Sequence, residues 1–143
     1  ADACGAAGLA SIDAGFAAQV AQELPQLVAQ WPADLPRGVI HADLFPDNVL
    51  MLGDTVSGLI DFYFACNDFL AYDVAICLNC WCFEPDVSFN ATKAMRLVNG
   101  YTAARKLGPD EIAALPLLGL LPFHGWSSAL VRDTAPGVAA LAK

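Results

Sequence analysis

The sequence predicts an α+β fold, mostly helical, in which a few short strands carry a polar loop and helices follow them. Three observations predict it. Short strand-like segments, separated by Pro, Gly and Asp, crowd into residues 38–60. From Leu70 onward the apolar pattern is helical. Polar residues concentrate where the predicted strands end. Composition agrees: 57% of the 143 residues are hydrophobic and only 15% charged, which argues for a packed core and against disorder. A chain this apolar also suggests a surface that expects cover from another lobe.

The elements follow in order. Residues 14–31 are rich in Ala and Gln with apolar spacing and predict a helix, broken near Pro25. Pro32 and Pro36 force a turn. Gly38-Val39-Ile40-His41 reads as a short buried strand, and Ala42–Asp47 as a loop from which Pro46 excludes regular structure. Asn48–Leu52 is a second strand, Gly53-Asp54 a turn, and Val56–Ile60 a third strand. After Asp61 the pattern turns helical. Leu70–Phe83 is apolar almost all round and predicts a buried helix. Ser88 is placed to cap the next, roughly 89–106, and Gly108 to end it. Pro109-Asp110-Glu111 starts a last helix toward Leu121, with acids near the positive end of its dipole. The organisation expected is a helical lead-in over 1–37, a core over 38–121 and an irregular tail over 122–143.

A net charge of −8 repels phosphate backbones and excludes nucleic-acid binding from the reading. It leaves ATP open, since Mg²⁺ can bridge carboxylates to phosphates. Of five cysteines, Cys77, Cys80 and Cys82 fall within six residues. No second ligand pair follows at a zinc spacing, so buried free thiols are the expectation, along with Cys4 and Cys66 outside any disulfide framework. No apolar run reaches the ~18 residues that span a bilayer, and the N-terminus lacks a basic signal region. The expectation is a cytoplasmic protein with no membrane partner.

The segment Val39-Ile40-His41-Ala42-Asp43-Leu44-Phe45-Pro46-Asp47-Asn48 carries the chemistry. It contains His-x-Asp-x-x-x-x-Asn, and Asp61 follows thirteen residues after Asn48. That is the order of a kinase catalytic centre. Asp43 can accept the proton of an attacking hydroxyl. Asn48 offers a neutral carbonyl oxygen, and Asp61 a charged one, to a Mg²⁺ that bridges ATP phosphates. His41, at a strand end, can brace the loop by hydrogen bonding. Taken singly each residue reads otherwise: an Asp in a loop is commonly a turn residue, and a buried His is commonly structural, as expected for His41 here. Asp47 reads as a solvated loop residue. Type, order and spacing together favour the kinase reading.

His41-Ala42-Asp43-Leu44 with Asn48, then Leu59-Ile60-Asp61, resembles the aminoglycoside phosphotransferase and choline kinase superfamily. Its members show His-Gly-Asp-Leu-His-x-x-Asn and Ile-Asp-Trp or Ile-Asp-Phe, so Ala42 is a departure. The resemblance implies a protein-kinase-like C-terminal lobe with a short β-hairpin region carrying the catalytic loop. It implies ATP and Mg²⁺ as cofactors, Asp43 as base, and Asn48 and Asp61 as metal ligands. It makes Asp73 a structural acid anchoring the loop beside His41. The longer string from Gly58 to Asn79, continuing through Trp81-Cys82-Phe83-Glu84, is similar to bacterial homoserine kinases of that superfamily. That similarity, over about residues 30–118, implies homoserine as acceptor, in threonine biosynthesis. Phe62, Tyr63, Asn67 and Asp68 could line the acceptor side.

Two departures bear on completeness. No Gly-rich strand-turn-strand or Val-Ala-x-Lys strand precedes residue 38, and Lys93, Lys106 and Lys143 all follow the loop. The expectation is a C-lobe fragment, inactive alone, on which a missing N-lobe would pack. After Leu118, Pro122 and Gly125 break the helix the superfamily would continue, and His124 and Trp126 carry no functional weight. The alternatives are a kinase for an aminoglycoside, choline or a sugar, and a non-catalytic solitary lobe. The mostly apolar, neutral stretch Phe62–Asn67 disfavours an aminoglycoside.

Overall fold

The computed structural model describes residues 13–119. The chain divides after Trp31 into two units. The first holds helix α1, Ala14–Gln30. Asp13 precedes it, its carbonyl accepting from the Ala17 N–H at 3.0 Å. The break expected at Pro25 does not occur, and the helix runs through it. Proline removes one backbone donor, and flanks of Ala, Gln, Leu and Glu are strong enough helix formers to carry the element across.

Among the described residues, the second unit is built from two antiparallel ribbons and three helices. Strand β1 (Arg37–Ile40) pairs with β4 (Cys66–Phe69), with Gly38 opposite Asp68 and Ile40 opposite Cys66. Strands β2 (Val49–Leu52) and β3 (Thr55–Leu59) form a hairpin, Val49 opposite Leu59, with an irregularity between Leu50 and Met51. Gly53 turns the hairpin at φ +60°, a conformation open to glycine at little cost. The sequence did not announce β4. Cys-Asn-Asp has poor strand propensity, and its extended form comes from pairing with β1. Between β3 and β4, Phe62–Phe64 forms a single 3₁₀ turn. Gly38 admits close packing of the first ribbon, since a Cβ there would lie 2.8 Å from Leu70 Cδ2.

Helix α2 (Leu70–Trp81) is the central element and buries Ala71, Val74, Ala75, Ile76 and Leu78. Around it pack Ile40 of β1, Phe69 of β4, and Ala94 and Val98 of α3 (Ala91–Ala104). Leu115 and Leu118 of α4 (Pro109–Leu118) complete that core. The mixture of helices and small antiparallel sheets is the α+β class expected. Helix α2 stops at Trp81, two residues short of expectation. Helix α3 is capped not by Ser88 but by Asn90, whose side chain accepts from the Lys93 N–H at 2.9 Å. Ser88 is engaged by Asp86, which takes both its N–H and its hydroxyl. The residues around Leu121, and the expected irregular tail over 122–143, lie outside the described residues.

Helix α4 begins as the sequence indicates, with Pro109 in its first turn. Glu111 reaches back to accept from the Gly108 N–H at 2.9 Å. Its carboxylate is buried and meets the Arg105 guanidinium, also at 2.9 Å. A buried carboxylate stripped of its cation costs several kcal/mol, discounted here because Arg105 is partly solvated. Arg105→Ala is therefore expected to lower unfolding free energy by about 2–3 kcal/mol. Arg105→Lys should lose less. Chemical denaturation of the two variants checks this.

Candidate active site

The polar loop Ala42–Asp47 hangs between β1 and β2, and its shape follows from hydrogen bonds made by three side chains. Asp73, in the first turns of α2, accepts from the His41 N–H through Oδ2 and from the Ala42 N–H through Oδ1, both at 2.8 Å. Asn48 donates through Nδ2 to the Asp43 backbone carbonyl at 2.7 Å and to Asp43 Oδ2 at 3.0 Å. Those two bonds settle the amide orientation, leaving Asn48 Oδ1 as the end not turned to Asp43. The Trp81 indole N–H donates to the Leu44 carbonyl at 2.8 Å. Within the loop, the Phe45 N–H bonds the Asp43 carbonyl and the Asn48 N–H bonds the Phe45 carbonyl.

The β2–β3 hairpin returns Asp61 toward Asn48. The Ile60 N–H donates to the Asn48 carbonyl at 3.0 Å, so Asp61 lies one residue beyond Asn48's cross-strand neighbour. The buried His41 ring joins the two segments, with Nε2 2.9 Å from the Ile60 carbonyl. A carbonyl only accepts, so Nε2 carries the proton. The Phe62 ring packs on the His41 ring at 4.5 Å between centroids, tilted by 50°.

Two non-glycine residues in this region have left-handed backbone: Ala42 at φ +61° and Asp61 at φ +64°. Asp tolerates that conformation, whereas Ala meets its own Cβ against the backbone. At Ala42 the conformation aims two consecutive N–H groups at one carboxylate. Two charge-assisted bonds, at about 1.5–3 kcal/mol each, outweigh a strain of about 1–2 kcal/mol.

The structure bonds His41 to Asp73 and Asn48 to Asp43, and links the two pairs through Ile60, whose carbonyl meets His41 and whose N–H meets Asn48; Asp61 follows Ile60 in the chain. The other predicted positions are more dispersed. Phe62 sits at the His41 ring and Tyr63 is 91% exposed. Asn67 and Asp68 lie on β4, where Asp68 Oδ1 meets Arg37 at 3.2 Å. Asp47 is exposed, in the 3₁₀ turn Pro46–Asn48. Sequence reading passed over Trp81 and Ile60, whose contributions are an indole N–H and a backbone carbonyl. An indole two turns beyond Asp73 on the same helix is a signal only once that helix is known to run under the loop.

The cysteines of α2 are free thiols. Burial, then the Asp73 charge, pushes the Cys77 thiol up to about 12. Burial, then Cys77 and Asp43, does the same to Cys80. Cys82 rises to about 11, mainly through burial.

Residues 4–107 match the phosphotransferase enzyme family, and the chain belongs to that family. Among its relatives, it is 63% identical over 107 residues to the homoserine kinase of Allorhizobium ampelinum and 65% identical over 107 residues to that of Rhizobium meliloti. Each alignment covers 75% of this chain and 33% of the relative. It is 71% identical over 96 residues to the homoserine kinase of Nitrobacter hamburgensis, covering 67% of this chain and 29% of the relative. The chain thus spans about a third of the length of the curated relatives it matches.

Two outcomes follow. Ala42→Gly relieves about 1–2 kcal/mol of left-handed strain but adds about 0.4–1 kcal/mol of unfolded-state entropy, so a net gain of about 0.5–1 kcal/mol is expected in denaturant titration. The raised thiols stay protonated at neutral pH, so alkylation of Cys77 and Cys80 at pH 8 should run about a thousandfold slower than for an ordinary thiol, read by peptide mass mapping. Since their folded pKa lies above the ordinary 9.0, the stability they contribute is complete below pH 9 and fades as pH rises toward 12.

Proposed function

We propose that this chain is the part of an ATP-dependent homoserine kinase that carries the catalytic base and the metal ligands, the product being O-phosphohomoserine on the way to threonine. The observation that carries the reading is the Asp43–Asn48 pair. One side-chain amide holds the carboxylate of the candidate base, and the same residue begins the hairpin that returns Asp61. The names of the relatives supply homoserine as the acceptor.

In this reading Asp43 orients the acceptor hydroxyl at the γ-phosphorus and takes its proton. Asn48 Nδ2 fixes Asp43 Oδ2, so the carboxylate keeps one rotamer and Oδ1 serves the substrate. Asn48 Oδ1 and the Asp61 carboxylate are hard oxygen donors of the kind Mg²⁺ prefers. Among the described residues no three His, Cys, Asp or Glu side chains gather to hold a metal. A site of one amide and one carboxylate suits Mg²⁺, which usually keeps waters and shares its coordination with substrate phosphates. When bound, Mg²⁺ supplies neutralisation of the charge that develops on the transferred phosphoryl group. Asp73 and His41 keep the loop and the residue before Asp61 in register. Phe62 and Tyr63, exposed beside Asp61, line the acceptor side in this proposal, with Asn67 and Asp68 further along β4.

Leu50, Met51, Leu52, Val56 and Phe64 are exposed apolar residues on or next to the hairpin. We assign them to contact with a lobe that holds the nucleotide through a Gly-rich loop and a lysine. No helix among the described residues is long and apolar enough to cross a membrane.

The test is ATP turnover with homoserine, choline or an aminoglycoside as acceptor. It uses this chain, and this chain joined to the upstream part of the Rhizobium meliloti homoserine kinase. Turnover with homoserine in the joined protein, and little in the chain alone, is expected. In the joined protein Asp43→Asn should lower kcat by about two orders of magnitude or more with ATP KM little changed. Asp61→Asn should raise the Mg²⁺ requirement. Undiminished turnover in Asp43→Asn overturns the assignment of the base, and preference for choline or an aminoglycoside overturns the acceptor.

A further inference from the structure

We propose that Trp81 is a positioning residue for phosphoryl transfer, its indole N–H clamping the Leu44 carbonyl and so setting where the Asp43 carboxylate stands. The proposal rests on the reading of Asp43 as base.

The hydrogen bonds inside the loop fix its shape but not its place. Phe45 to Asp43, Asn48 to Phe45, and Asn48 Nδ2 to the Asp43 carbonyl all begin and end within residues 43–48. They last only while the loop keeps this shape, and none of them ties it to the helix beneath. The start is anchored by Asp73 at residues 41 and 42. The end at Asn48 is held by the Ile60 N–H and by the pairing of β2. The stretch between the two ends can still lift off α2, and an anchor in its middle removes that freedom. Trp81 provides it at residue 44, on the far side of Asp43 from the Asp73 contacts. Both anchors belong to α2, eight residues apart, or about 12 Å along the axis. The helix that forms the core thus grips the loop on both sides of Asp43. Trp81 closes α2 and is half-buried, with its polar tip spent on a backbone carbonyl that carries no side-chain information. A loose base costs rate more than binding, because reacting atoms need alignment within fractions of an ångström.

The test compares Trp81→Phe, which keeps an aromatic ring and loses the donor, with replacement of Trp81 by benzothienylalanine, which keeps the bicyclic shape and puts sulfur in place of N–H. Steady-state kinetics with homoserine use the joined protein described above. Amide hydrogen exchange uses the same protein. Both variants should lower kcat by about tenfold while KM for homoserine and ATP stays within twofold. Exchange should quicken at the Phe45 and Asn48 amides and not at buried amides of α2. A purely structural tryptophan predicts another pattern: Phe lowers Tm, the isostere restores it, and kcat per folded protein is unchanged in both. That result overturns the proposal, as does unaltered exchange at Phe45 and Asn48. Absence of homoserine turnover in the unsubstituted joined protein would instead overturn the functional reading and this proposal with it.

Discussion

The carboxylate of Asp73 organises everything around it. It takes two successive backbone N–H groups, from His41 and Ala42, at the point where β1 ends and the loop begins. A half-buried acid so placed would be costly without partners, and two backbone donors would be costly without an acceptor. Each satisfies the other, and the joint position decides three things. It fixes how β1 sits against α2. It forces Ala42 into left-handed backbone, which turns the chain sharply so that Asp43 follows. It sets His41 so that its ring reaches the Ile60 carbonyl next to Asp61. A loop with a single 3₁₀ turn as its regular structure thereby acquires a defined geometry from the helix beneath it.

The division of labour between hydrophobic and polar groups is plain. Ile40, Phe69, Val74, Ala75, Leu78, Leu115 and Leu118 bury the apolar area that holds the second unit together. None of them is among the candidate site residues. Their contribution is to make α2 a rigid support, so that Asp73 and Trp81 can act at a distance from the core. Left-handed residues at Ala42 and Asp61 are affordable on such a support, because the surrounding bonds over-determine them.

Much of this was legible in the residues. Gly53-Asp54 between apolar runs announced the hairpin, and Pro109-Asp110-Glu111 announced α4, because turn and cap chemistry is local. The spacing His41, Asp43, Asn48, Asp61 announced residues that the fold gathers around one loop: Asn48 bonds Asp43, and His41 bonds the carbonyl of Ile60, next to Asp61. What stayed hidden was non-local. Strand β4 exists through its partner. Pro25 failed to break α1 because its neighbours outweigh one missing bond. Asn90 displaced Ser88 as a cap because Asp86 had already taken the serine. The grip of Trp81 on the loop could not be read from Trp81, since its acceptor is a carbonyl that every residue owns.

The two ribbons carry one further consequence. Among the described residues, each strand pairs on one side only, so both ribbons offer open edges of unpaired backbone groups. Proteins usually blunt such edges with lysines, prolines or bulges. Here β2 and β3 hold no charged residue, and only the irregularity at Leu50/Met51 interrupts their flatness. Val39, Leu52 and Val56 stand exposed along these strands. The hairpin that returns Asp61 toward Asn48 is thus also the place where one copy of the chain can template another. In the proposed enzyme, a lobe lying over the hairpin would guard against self-association as well as take part in catalysis.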